Sequence, residues 1–119
     1  MLDKNTQNVN YKIAKQIYSN SSFTVVNGDT GLAEITIHEA PGGKGILGCF
    51  DCDYVNVQAD FNNLMEVIPK VSVLELDGAF VAKYKDSEAF GESYSEAVCN
   101  LVANNDFRNT YGWKFEVIQ

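Results

Sequence analysis

At 119 residues and 13.2 kDa, with 45% of positions hydrophobic, the chain has the length of one domain, and area scaling buries about two-thirds of its unfolded surface, enough for a core without metal or disulfide staples. Sixteen acidic against nine basic residues leave a net charge of −7, the wrong sign for a protein that holds DNA or RNA by neutralising phosphates. Apolar runs of only a few residues exclude a membrane-spanning helix, and the N-terminal MLDKNTQN lacks the apolar stretch of a secretory signal, so a cytoplasmic protein with no nucleic-acid or membrane partner is expected.

No repeat, low-complexity tract or linker divides the chain, which reads as a single domain over residues 1–119. The first helix is expected over about Thr6 to Tyr18, where Ile13, Ala14, Ile17 and Tyr18 form one apolar stripe before Asn20-Ser21-Ser22. Phe23 to Val26 reads as a strand. After the turn Asn27-Gly28-Asp29-Thr30-Gly31 comes a second, Leu32 to His38, with Ala33, Ile35 and Ile37 alternating against Glu34, Thr36 and His38. Glu39 to Gly48 is a glycine-rich loop leading into a short extended stretch, Ile46 to Tyr54. A second helix of about Val57 to Ile68 carries Phe61, Leu64, Met65 and Ile68 at i, i+3, i+4, i+7 and stops at Pro69.

A hairpin follows, Val71 to Leu76 and Ala79 to Lys85 around Asp77-Gly78, with Phe80, Ala82 and Tyr84 on one face. Ser93-Tyr94-Ser95-Glu96 is a capping box opening a helix to about Asn104, with Tyr94, Ala97, Val98, Leu101 and Val102 inward. Trp113 to Ile118 alternates as a last strand. The expected order is α-β-β-(β)-α-β-β-α-β: an α+β fold with a mostly antiparallel sheet and about three helices packed on it.

Motifs for catalysis are scarce. Gly43-Lys44-Gly45-Ile46-Leu47-Gly48 matches G-x-G-x-x-G, but the dinucleotide fingerprint needs a helix opening there, and Cys49 to Tyr54 reads as extended. In Cys49-x-x-Cys52 the acids Asp51 and Asp53 stand on either side of Cys52, and they disfavour the thiolates that redox work requires. Zinc needs about four ligands, and the available set is Cys49, Cys52, Cys99 and His38, distant in sequence. Three cysteines, an odd number, do not suit a secreted disulfide scaffold. His38, the single histidine, reads as a solvated strand-end residue rather than a general base. With no nucleophile elbow, Walker or H-E-x-x-H pattern, a non-enzyme without cofactor is expected.

Charge is segregated along the chain. Residues 29–68 hold seven acids and one base, residues 86–106 hold five acids and no base, and residues 1–28 carry a net +2. An acidic surface gathered from such stretches attracts basic partners and speeds their capture. The candidate partner-binding residues are Asp51, Asp53, Tyr54, Asp60, Asp86, Glu88, Phe90, Glu92 and Glu96, with aromatic anchors beside the acids supplying interface energy.

Two stretches carry family resemblances. Tyr54-Val55-Asn56-Val57-Gln58-Ala59-Asp60-Phe61-Asn62-Asn63-Leu64-Met65-Glu66-Val67-Ile68, with the later Gly91-Glu92-Ser93-Tyr94-Ser95-Glu96-Ala97-Val98-Cys99, resembles small bacteriophage proteins of the α-β-α sandwich family, though without the tryptophan frequent in the first of those helices. Leu74-Glu75-Leu76-Asp77-Gly78-Ala79-Phe80-Val81-Ala82, followed by Gly91 to Ala97 and Asn100, is similar to HicB-type antitoxins, with a short linker and no DNA-binding tail. The first implies a phage or prophage accessory protein that neutralises a host defence or nucleic-acid enzyme, such as a CRISPR effector; the second implies an acidic partner of a basic RNase toxin. Both lead to one expectation: an acidic, nucleic-acid-mimicking inhibitor that occupies a basic groove by protein–protein contact. A homodimer is compatible with either.

Overall fold

A computed structural model describes residues 4–19, 22–28, 32–39, 45–68 and 70–105. Its elements are α1 (Lys4–Ile17), β1 (Phe23–Asn27), β2 (Ala33–His38), β3 (Ile46–Cys52), α2 (Gln58–Val67), β4 (Ser72–Leu76), β5 (Ala79–Tyr84), β6 (Ser87–Gly91) and α3 (Tyr94–Ala103). The fold is α+β, as the hydrophobic periodicities indicate, with three helices and two three-stranded antiparallel sheets, β1-β2-β3 and β4-β5-β6, among the described residues. The described residues group into two compact units, one ending at Asp53 and the other beginning at Tyr54.

In the first unit the apolar stripe of α1 is buried through Val9, Ile13, Ala14 and Ile17, and the helix packs on β1 and β2. The sheet register pairs Val25 with Ile35 and Ile35 with Phe50, and likewise Phe23 with Ile37. Because side chains alternate along a strand, Phe23, Ile35, Ala33 and Cys52 share one face, and all four are buried. Tyr18, just past the helix, meets Phe23 and Phe50 edge-on at centroid distances of 4.9 and 5.4 Å. The extended stretch expected from Ile46 forms β3, and a register shift at Ile37/His38 interrupts its ladder with β2. At the far end of β3, the buried Asn10 of α1 donates from Nδ2 to Asp53 Oδ1 at 3.0 Å. This polar contact ties the middle of the first helix to the end of the third strand.

In the second unit Phe61, Leu64 and Ile68 are buried, and the helix ends where Ile68 turns extended (ψ 157), the conformation favoured before a proline. Asp77 and Gly78 both have positive φ (52 and 83), so the β4–β5 hairpin closes on a type I′ turn, the twist of which matches that of its strands. Phe80, Ala82 and Tyr84 do share one face.

β6 is a strand that the sequence does not lead one to expect. Its two-residue turn, Lys85-Asp86, has no glycine or asparagine although Lys85 adopts φ 53, and its inward positions are the small residues Ser87, Ala89 and Gly91. Neither the turn nor the alternation is therefore conspicuous in sequence. The expected strand at 113–118 lies outside the described residues.

α3 packs on β5 and β6 over that small-residue face. Ser93 is its N-cap, with Oγ accepting from Glu96 N at 3.1 Å, while Glu96 Oε1 accepts from Glu92 N at 3.0 Å, one residue earlier than the expected capping box places it. Ala97, Val98, Leu101 and Val102 are buried as expected. Tyr94, expected inward, is instead exposed, its ring standing edge-on to Phe61 at 6.0 Å. Gly91 is where β6 meets the first turn of α3: a Cβ there would overlap the backbone of Glu96 and Ala97.

Gly91→Ala is expected to destabilise the chain by about 1–3 kcal/mol, since backbone rather than a flexible side chain must yield. Asn10→Ala is expected to cost about 1–3 kcal/mol by withdrawing a buried hydrogen bond from the Asp53 carboxyl. Both are read by denaturant unfolding against the parent chain.

Candidate protein-interaction surface

The register of β4-β5-β6 divides the side chains of that sheet into two sets. Ala82, Ala89 and Gly91, with Phe80, Tyr84 and Val73, lie on the face that α3 covers. The opposite face carries Leu74, Val81 and Phe90 in one cross-strand row, Leu76 and Ala79 in the next, and Ser72, Lys83 and Glu88 in a third. Along the central strand Val81 is 3% exposed, whereas Leu74, Leu76 and Phe90 on the two outer strands are 50%, 56% and 60% exposed. Apolar side chains of this size left in solvent within one small sheet face mark a contact surface more readily than scattered single residues do.

Acidic residues frame this face along β6. Asp86 stands in the turn before the strand, Glu88 and Phe90 share its outer side, and Glu92 follows its end; all four are exposed. Glu88 is matched by Lys83 across the strand pair, Nζ to Oε2 at 3.8 Å with both side chains half in solvent, an exposed pair of little energetic weight. Glu96 is half-buried and held by the cap of α3, so it closes a helix start as well as adding charge.

The remaining candidates lie outside β6 and its flanking turns. Asp53 is 4% and Tyr54 2% exposed. Burial corrects the expectation for these two: Asp53 serves the internal contact with Asn10, and Tyr54 presents no appreciable surface to a partner. Asp60 is half-buried in the first turn of α2, where unpaired helix amides favour a carboxylate. Asp51 is exposed on the first unit's sheet, directly across from Glu34. Like charges in that position repel, and the Glu34 carboxylate instead lies over Gly28, filling the space a Cβ would take there.

The set weighed as metal ligands is not assembled. Cys49 and Cys52 are three residues apart on one strand and so project to opposite faces: Cys49 is exposed opposite Thr36, Cys52 buried opposite Ala33. Cys99 is buried within α3 of the other unit. His38 Nε2 lies 2.6 Å from Thr24 Oγ1. Among the described residues no three of His, Cys, Asp and Glu come together as a metal site. After Gly45, at φ 75, the chain enters β3 at Ile46, so the residues that follow the glycines form a strand and not the helix start that the dinucleotide fingerprint requires.

Leu74 and Leu76 were not among the residues the sequence singled out. The Asp77-Gly78 turn carried the signal for them, because it fixes the register that sets Leu74 beside Val81. Phe90 joins that row only through β6.

Comparison with protein-family models, with curated proteins and with solved structures finds no match for this chain.

Thiol chemistry checks the strand parity. In the folded chain Cys49 is expected to react promptly with an aromatic disulfide reagent, while Cys52 and Cys99 react only on unfolding; prompt reaction of two or three thiols in the native protein contradicts the placement.

Proposed function

We propose that this chain is a non-enzymatic acidic binding protein, of the kind phages use as accessory inhibitors, which occupies a basic groove on a nucleic-acid-handling or defence protein such as a CRISPR effector. The observation that carries the reading is the β6 strip, in which the exposed Phe90 stands between Glu88 and Glu92 with Leu74 and Leu76 on the same sheet face. A groove built for phosphates is cationic and often carries apolar or aromatic walls. Carboxylates spaced along a strand meet its charges, and the phenyl ring supplies the buried anchor that charge alone does not.

The net charge of −7 is moderate, which suits a local acidic patch rather than imitation of a whole duplex. Long-range attraction from such a patch raises the association rate more than the final affinity, while the apolar anchor acts on dissociation. The antitoxin-like reading employs the same surface against a basic RNase toxin, and it forms the second arm of the test.

Binding to a CRISPR effector nuclease and to a basic RNase toxin is measured by surface plasmon resonance from about 50 to 500 mM salt, a range over which the Debye length shortens severalfold. The expected outcome is association by one of the two that slows as salt rises. Phe90→Ala is expected to weaken it about tenfold or more through faster dissociation, and Glu88→Lys with Glu92→Lys to slow its association. Binding that ignores both salt and these substitutions, or no binding in either arm, refutes the reading.

A further inference from the structure

β4 is an edge strand: among the described residues it pairs with β5 alone. The hairpin turn fixes which of its backbone groups are used. A two-residue turn makes Leu76 and Ala79 a hydrogen-bonded pair, and such pairs alternate along an antiparallel ladder. Leu76, Leu74 and Ser72 therefore spend their amides and carbonyls on β5. Val73 and Glu75 aim theirs away from the sheet, at the edge that no described strand covers.

Natural edges are guarded by proline, lysine, bulges or inward charges. Ser72-Val73-Leu74-Glu75-Leu76 has no proline or lysine and an uninterrupted register with β5. The opposite edge, β6, carries Glu88 and is bracketed by Asp86 and Glu92, so two copies of it repel. β4 carries one charge, Glu75, which the register sets in the row of Phe80 and Gly91 on the side of α3 and which is nonetheless exposed, so it does not bar the edge as a buried inward charge would.

We propose that the chain forms a two-fold symmetric homodimer in which β4 pairs antiparallel with β4 of a second copy, centred on Leu74. In this register Val73 faces Glu75 of the other copy and Ser72 faces Leu76, while Leu74 meets its own counterpart. The outward amide and carbonyl of Val73 then align with those of Glu75, giving four backbone hydrogen bonds related by the two-fold axis. All five strand residues are paired, and the four leucines lie on one continuous face of a six-stranded sheet.

Neighbouring registers are poorer. Moving the centre to Glu75 sets two carboxylates directly opposite, which is destabilising. Moving it to Val73 leaves Leu76 facing Lys70, beyond the strand. Registers that pair an outward residue with an inward one make no hydrogen bonds. The sequence of β4 thus suits itself as a partner in one alignment.

A pairing of this size falls below the area of stable complexes, so the dimer is weak and concentration-dependent. Both copies carry −7, so added salt strengthens it by screening. This inference does not rest on the proposed function. Salt weakens capture of a basic partner and favours the dimer, so either can fail without the other.

Sedimentation equilibrium from micromolar to millimolar chain is expected to show the average mass rising from 13.2 kDa towards twice that value, and rising further at higher salt. Over the same range, amide exchange at Val73 and Glu75 is expected to slow, while Leu74, already bonded to β5, stays unchanged. Glu75→Pro removes an amide that only the dimer uses, and Leu74→Lys sets two ammonium groups on the axis. Each is expected to abolish association, and far-ultraviolet circular dichroism identifies which of them retains the fold. A constant mass of 13.2 kDa, a mass climbing beyond the dimer, or a dimer that persists in either folded variant overturns the proposal.

Discussion

A three-stranded sheet has two faces, and in β4-β5-β6 one helix covers one of them. That constraint organises the second unit. Once the Asp77-Gly78 turn sets the hairpin register, strand alternation commits Phe80, Ala82 and Tyr84 to the side of α3 and Leu74, Val81 and Lys83 to the other. The small residues Ala89 and Gly91 bring α3 close enough for Gly91 to lie against the backbone of its first turn. Phe90, between them in sequence, is carried outward by the same alternation. Tight packing on one side and an exposed aromatic on the other have a single cause.

The first unit follows the same rule with a different outcome. Its sheet buries Phe23, Ala33, Ile35 and Cys52 on one face, leaving Thr24, Glu34, Thr36, Cys49 and Asp51 on the other. That outward face is mixed, since Val26, in the row of Glu34 and Asp51, and Leu47 on β3 are also exposed there. Asn10 and Asp53 form a buried polar pair that ties α1 to the end of β3. Asp53 therefore belongs to the core, although its neighbours Asp51 and Asp60 keep part or all of their side chains in solvent. Counting carboxylates along the chain overstates the acidic surface for this reason.

Several features that resemble motifs have plain structural explanations. Gly91, Ser93 and Glu96 stand together because a strand end must pass close to a helix start and then cap it, which accounts for a glycine, a hydroxyl and a carboxylate at that spacing without reference to ancestry. Cys49 and Cys52 have the spacing of a chelating pair in a turn, but on a strand that spacing sends them to opposite faces. The meaning of a spacing depends on the element that carries it.

The α+β class, the helical stripes, both recognised hairpins and the cap of α3 were legible in the sequence, because each rests on contacts between residues near one another along the chain. β6 was not, since its turn lacks glycine and its inward positions are too small to register as an apolar alternation. Tertiary structure alone decided that Asp53 and Tyr54 are buried, that Glu88 meets Lys83, and that Leu74 and Phe90 fall in one row across Val81. Those outcomes depend on which strand lies beside which and which face a helix covers, and such long-range choices leave no periodic trace in a linear string of residues.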